Sequence, residues 1–409
     1  MHIAFYTNYY LPVVNGVVRS VESFREELAK QGHNVFIFAQ TDSEHEDEDP
    51  FIYRYPSLNL PLQVDIPAVL PVSSFIDQLL PTLKLDVIHT HHPILLGQTA
   101  ARKAEELNLP LVFTFHTQYE EYTHYVPLPQ EAIQEFLKDQ INTWLVDFMR
   151  KCQHIVIPSD SIKETLIRDY GLRGRYTVVP TGMDLEPFKQ ADGKTLRSKM
   201  GWDKEKVLIS TGRLAQEKNW PVFLQAAQKV HEKHPDLRVV LIGDGPDKEA
   251  LEEIASELGI ADRVTFMGKL PFSDVIAHLK ASDVFGFASI TETQGLVTME
   301  AMAAGLPVAA VDANGTSDII DDGKQGYLVA NDAEALAEAI NRLFDSPRRM
   351  AKFRKNALRK AKTFDIKKSA KKMLEVYEQA IQDKADGQYV EVEEVEEIDQ
   401  EQGEEKTED

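Results

Sequence analysis

Short runs that are apolar at every position, each closed by a loop and followed by a stretch with helical spacing, recur along nearly all of this 409-residue chain. That alternation leaves few folds open. A strand with apolar residues on both faces is buried on both faces, and such strands belong to parallel sheets whose connections are helices. The first unit reads as a strand over His2–Thr7, a loop from Asn8 to Gly16, and a helix over Val17 to Gln31 with Val18, Val21, Phe24 and Leu28 on one face. Gly32 then stops the helix and Asn34–Ala39 is the next strand. Further strands are expected at Val87–His89, Leu111–Phe115 and His154–Pro158. The rhythm restarts near Lys206, with strands at Val207–Ser210, Arg238–Ile242, Val264–Met267, Val284–Phe287 and Val308–Val311. Between the two series lies a stretch from Pro180 to Phe188 punctuated by Pro and Gly. The expected architecture is α/β, with one doubly wound domain over 1–182 and a second over 183–365. Ligands bind outside the carboxyl ends of parallel strands, so two such domains place the site in the cleft between them.

Composition narrows the classes of function. The net charge is −21, and residues 385–409 hold twelve acids against one lysine. That segment is expected to be a disordered acidic tail. An acidic body is a poor general nucleic-acid binder, although it leaves room for a local basic patch. A single cysteine, Cys152, excludes an internal disulfide and thiolate zinc clusters, and is expected to be a small core residue. The chain opens directly into a strand with no basic leader, and no window approaches ~20 apolar residues. The cytoplasm is the expected compartment, with contact at a membrane surface left open. Ile66 to Leu85, with Leu70, Val72, Phe75, Ile76, Leu79 and Leu80, is a candidate amphipathic segment, and core packing is an equal alternative.

Five motifs carry candidate chemistry. In Thr291–Ala303, Glu292 and Glu300 stand eight positions apart across a turn and a helix start near Leu296. The free N–H groups at that helix start, about Gly295, Leu296 and Val297, suit a diphosphate, and a carboxylate suits the hydroxyls of a sugar. Gly212-Arg213-Leu214 with Glu217-Lys218-Asn219 follows a strand, so that Arg213 and Lys218 can converge on one anion. Gly16 opens a helix facing the cleft. Gly243-Asp244-Gly245-Pro246 lacks the third glycine of a dinucleotide fingerprint, and is read as a turn where a nucleotide meets the backbone at Gly245, with Met267 at the end of the next strand. His89, His91, His92 and His116 end two strands. Without Cys or acidic company they are not a metal site, and no metal is expected; His89 is read as a hydrogen-bonded core residue and His116 as a cleft contact.

Taken together these residues resemble the retaining glycosyltransferases of family 4, with the GT-B fold, over about residues 1 to 382. The resemblance implies that Arg213 and Lys218 hold the donor diphosphate, that Glu292 grips sugar hydroxyls and Glu300 the ribose, and that His116 and Gly16 meet the donor from the first domain. It also implies a last helix, about Ile366 to Ile381, crossing back to complete the first domain. Gln294 departs from the family pattern, which usually has Phe there, and is expected to alter loop packing more than phosphate binding. The segment His116 to Val126, with Tyr119 and Tyr122 on the acceptor side, is similar to bacterial diacylglycerol glucosyltransferases, implying UDP-glucose as donor, a lipid acceptor and a peripheral membrane enzyme. No cofactor beyond the UDP-sugar is expected. A soluble small-molecule acceptor, a sugar-nucleotide epimerase or hydrolase of the same fold, and a non-catalytic binding protein are the alternatives.

Overall fold

The computed structural model describes residues 1–13, 15–41, 45–58, 68–69, 72–117 and 131–393. Two parallel sheets form the frame. The first contains β1 (His2–Tyr6), β2 (Asn34–Gln40), β3 (Ile52–Tyr55), β4 (Val87–Thr90), β5 (Leu111–Thr114), β6 (His154–Ile157) and β7 (Tyr176–Val178), in the order β7-β6-β5-β4-β1-β2-β3. The second contains β8 (Lys206–Thr211), β9 (Leu237–Ile242), β10 (Val264–Phe266), β11 (Val284–Phe287), β12 (Val308–Val311) and β13 (Gly326–Val329), in the order β10-β9-β8-β11-β12-β13. In both sheets the order reverses beside the first strand, which is the switch point where doubly wound folds open a crevice.

Alternation along the strands explains why both faces are covered. Phe5 and Ile37 pack with Val112 and Val156 on one face of the first sheet, while Tyr6 and Phe38 pack with Phe113 and Ile155 on the other. In the second sheet Leu208 and Leu241 face one layer of helices, and Ile209 and Val240 the other. Each such side chain, fully buried, contributes about 1.5–3 kcal/mol. Cys152 lies in the first core, wholly buried.

The helix Ile366–Ala385 belongs to the first sheet. Ile366, Ala370, Met373, Val376 and Tyr377 pack with Phe5 and Val112. The chain therefore passes between the domains twice, and the two passages touch. The Met183 N–H donates to Phe364 O, and the Ile366 N–H to Met183 O. A Cβ on Gly182 would stand 2.4 Å from Ile366 Cα, so only glycine fits at this crossing.

The tail expected to be disordered from residue 385 is corrected for its first part. Helix continues to Ala385, and Glu391–Val392 pairs antiparallel with Leu172–Arg173. Val390 is buried and its N–H donates to Cys152 O. Arg173 pairs with Glu393, and Arg175 with Glu391 and Asp383. The acid count concealed an alternation, Val390 and Val392 inward against Glu391 and Glu393, which is enough for one strand along an edge already lined with arginines. Residues 394–409 lie outside the described residues.

Candidate active site in the interdomain cleft

The site forms where strand ends of the two sheets meet. β11 runs out into Ala288–Gly295, and a helix begins at Leu296. Gly295 sits in the left-handed region, φ 70°, and no side chain caps the helix. The N–H groups of Leu296 and Val297 thus present the positive end of the helix dipole without a side-chain acceptor. From the first sheet the helix Gly16–Lys30 arrives head-on, with its N-cap Asn15 bonded to the Val18 N–H. A Cβ on Gly16 would lie 3.8 Å from Leu296 Cδ1, so two helix N-termini converge across the cleft.

The ends of β8, β9 and β10 build the adjoining wall. The Gly243 N–H donates to Gly268 O, and the Met267 N–H to Leu241 O. A Cβ on Gly243 would collide with Gly212 O at 1.8 Å, and one on Gly245 with Leu214 O at 2.2 Å. Glycine at these positions lets the strand-end loops lie against each other and keeps their backbone open toward the cleft. Gly212, Gly245 and Met267 are thereby brought together. Arg213 follows on this wall and is exposed, while its carbonyl accepts from Trp220 Nε1.

Two ion pairs occupy the centre. Lys218 Nζ donates to Glu292 Oε1, which also accepts from Ser289 Oγ at 2.8 Å. Arg19, one turn into the helix that Gly16 opens, donates to Glu300 Oε1 from the opposite domain. The Arg19 guanidinium also lies over the Phe272 ring, 4.2 Å from its centroid. Burial pushes the Glu300 carboxyl above the usual glutamate range, and the Arg19 charge offsets only part of that. Arg19 was not among the residues singled out from the sequence. Its signal was its place three residues after Gly16, on the first turn of a helix aimed at the cleft.

The histidines form a stack rather than a ligand cluster. His89 bonds Tyr377 Oη at 2.7 Å and Thr114 Oγ1 at 2.6 Å, as a core residue. His91 Nδ1 and His116 Nε2 are 3.0 Å apart with their rings stacked, and the His92 ring accepts from the Asn8 N–H. Burial lowers His89, His92 and His116 to about 3 and His91 well below its ordinary value, so all four are neutral. The ring of His116 is therefore committed on one nitrogen to His91, while its carbonyl reaches the other domain. Tyr119 and Tyr122 lie outside the described residues.

That reach is part of a bridge that sequence reasoning missed. Thr293 Oγ1 donates to His116 O, and Ser159 Oγ donates to Thr293 O. Gln294 Oε1 accepts from the Thr181 N–H at 2.8 Å while its Nε2 donates to Thr181 O at 2.9 Å. Gln294 thus docks on the backbone as a neighbouring strand would. The loop carrying Glu292 is fastened to the first domain and to the interdomain passage at residues 293 and 294.

The sequence itself matches two family descriptions, "Glycosyltransferase Family 4" over residues 14–187 and "Glycosyl transferases group 1" over residues 192–360. It is 34% identical to the alpha-monoglucosyldiacylglycerol synthase of Streptococcus pneumoniae (strain ATCC BAA-255 / R6), covering 85% of this chain and 79% of that one. With the Acholeplasma laidlawii protein of the same name it shares 30% identity, over 87% and 92%. Among solved structures, that of Anabaena Alr3699/HepE in complex with UDP superposes with a TM-score of 0.74 at 18% identity, covering 92% of this chain and all of that one. That likeness supports the GT-B arrangement of the fold.

Proposed function

The chain belongs to the glycosyltransferases of family 4, and from that premise we propose that it moves glucose from UDP-glucose to diacylglycerol with retention at the anomeric carbon. The observation that carries this reading is the cleft itself. Two helix N-termini meet there beside the ion pairs Lys218–Glu292 and Arg19–Glu300, with Arg213 on the adjoining wall, and such a set suits a sugar joined to a nucleoside diphosphate. Two relatives named for glucosyldiacylglycerol synthesis, aligned over most of this chain, supply the sugar and the acceptor. The UDP in the HepE complex supports the base.

In the proposed reaction the acceptor hydroxyl attacks the anomeric carbon from the face the diphosphate leaves. The C–O bond to the diphosphate breaks, and a diphosphate oxygen takes the acceptor proton. Arg213, Lys218 and the N–H groups of Leu296 and Val297 hold the charge that develops on the leaving group, so no metal is required. Glu292 orients the sugar hydroxyls, and Lys218 divides its charge between Glu292 and the diphosphate. Glu300 takes the ribose hydroxyls, for which Arg19 is the competing donor. A lipid acceptor requires contact with a bilayer. No helix of the described residues is long and apolar enough to cross one. Val72, just before the helix Ser74–Leu79, and Phe75 within it are about two-thirds exposed and suit a surface contact.

The test is product analysis with radiolabelled UDP-glucose and diacylglycerol in detergent micelles, with Glu292→Ala as control. Label entering an α-glucolipid, lost in the variant, supports the reading. Donor consumption without lipid product overturns the acceptor, and an inverted product overturns retention.

A further inference from the structure

Charge is distributed unevenly over this acidic molecule. Residues 347–372 contain twelve Lys and Arg against a single acid, Asp365. They form the helix Pro347–Ala361 and the first turns of the helix Ile366–Ala385, joined by a short turn. On the first, Arg348, Lys352, Lys355 and Arg359 follow at intervals of four, three and four, which is one helical face, and all four are exposed. The opposite face, Phe353, Ala357 and Ala361, is buried. On the second, Lys367, Lys368, Lys371 and Lys372 are exposed, while Ile366, Ala370 and Met373 are buried.

These side chains differ from the paired cations of the molecule. Arg354 pairs with Asp283 and Lys360 with Asp321, just as Lys206 pairs with Asp236 and Lys229 with Glu334. By contrast Arg348, Lys352, Lys355, Arg359, Lys362, Lys367, Lys368, Lys371 and Lys372 form no ion pair among the described residues. Nine exposed like charges on two successive helices of an otherwise acidic molecule make a local positive field, the complement of an anionic surface. Leu358, half-exposed between Lys355 and Arg359, adds an apolar group to the same region.

We infer that the two C-terminal helices form a docking surface for an anionic bilayer. The choice of a bilayer rests on the lipid-acceptor reading above, while the patch rests on its own exposed charges. Seven of the nine cations are lysines, which act as point charges, and no exposed aromatic residue stands on either helix for bases to stack on, which disfavours nucleic acid. The first helix packs on the second domain through Phe353 and Ala357, and the second on the first domain through Met373 and Tyr377. A bilayer lying along both therefore holds the two domains in one relation while the acceptor is drawn from it.

The experiment is vesicle flotation of the full-length protein, with phosphatidylcholine alone and with phosphatidylglycerol added, over a salt series. Two variants are compared, R348Q/K352Q/K355Q/R359Q and K367Q/K368Q/K371Q/K372Q. A lysine or arginine at an anionic surface contributes about a fivefold factor in affinity, so each set is expected to weaken binding at least about twentyfold after allowing for incomplete contact. Melting temperature and turnover on micellar acceptor are expected to stay at the wild-type level. Wild-type binding that ignores phosphatidylglycerol, or variants that bind anionic vesicles as wild type does, would overturn the inference. So would binding of an RNA homopolymer in place of vesicles, or binding that emerges only when residues 394–409 are removed, which would make that acidic segment the occupant. Patch-dependent flotation together with failed lipid glucosylation in micelles would support the surface and strike the acceptor reading instead.

Discussion

Replacing Gln294 by alanine isolates the link between the loop carrying Glu292 and the interdomain passage. Gln294 and Thr181 are both buried, and their paired bonds of 2.8 and 2.9 Å satisfy one backbone N–H and one backbone C=O. Alanine leaves both groups without their partner, at about 1–3 kcal/mol each, so the closed arrangement loses about 2–6 kcal/mol. A loss of ~3 kcal/mol changes a two-state population about a hundredfold, enough to open a cleft whose closed form predominates by less than that. Glu292 moves with the loop, so kcat/KM for UDP-glucose is expected to fall while Arg213 and Lys218 remain intact. Gln294→Glu separates this from simple misfolding. A protonated carboxyl can donate its O–H to Thr181 O and accept from the Thr181 N–H, as the amide does, whereas the ionised form faces the carbonyl with repulsion. The Glu variant should therefore recover toward wild type as pH falls, and the Ala variant should not. If Gln294→Ala retains kcat/KM within about threefold, or if the two variants share one pH profile, the bridge does not position the loop.

Three further outcomes follow from the same structure. Burial raises Glu300, so its protonated form is favoured in the fold; that contribution is complete below the unfolded value and lost as pH rises through the folded one. UDP affinity, measured by calorimetry, should accordingly weaken on acidification before an ordinary glutamate of ~4.3 would titrate, and Arg19→Ala should move the onset higher; a profile that weakens no earlier than an ordinary glutamate titrates contradicts the ribose role. His89, His92 and His116 are lowered to about 3 by burial, so their stabilisation is present above the unfolded value of ~6.5 and is lost as pH falls from there toward about 3. Each neutral histidine accounts for roughly 1.4 kcal/mol per pH unit in that window, and a melting temperature unchanged between pH 7 and 5 would refute it. Ending the chain after Glu393 should leave the melting temperature in place, whereas ending it after Asp386 removes Val390 and the edge strand and should cost at least about 1.5 kcal/mol; equal melting of the two forms would show the strand to be incidental.

The fold was largely legible because its signals are local. Apolar runs such as Val207–Ser210 and Arg238–Ile242 mark buried strands whatever surrounds them, and Leu296 was readable as a helix start from the glycine before it. The charged candidates at the cleft were legible in type but not in pairing. Nothing in the spacing says that Lys218 meets Glu292 across 74 positions, or that Arg19 meets Glu300 across 281. The interdomain bridge was invisible for a similar reason. Gln294 stood out as a departure from the family pattern, yet its partner is the backbone of Thr181, and a backbone group carries no sequence signature. The short edge strand was hidden by averaging, since a window dominated by glutamate masks two valines on one side of a strand.

The helix Ile366–Ala385 covers one face of a sheet whose strands all precede residue 179. During synthesis the amino-terminal half emerges first, but one face of its sheet is only partly covered, by the helix Gly16–Lys30, until some 190 further residues have been added, because Met373, Val376 and Tyr377 complete the layer over Phe5 and Val112. The second domain, contiguous from 183 to 365, meets no such delay. The later-made half is thus free to reach its final form first, and the earlier-made half has a partly exposed apolar sheet during that interval, when a ribosome-bound chaperone has most to protect.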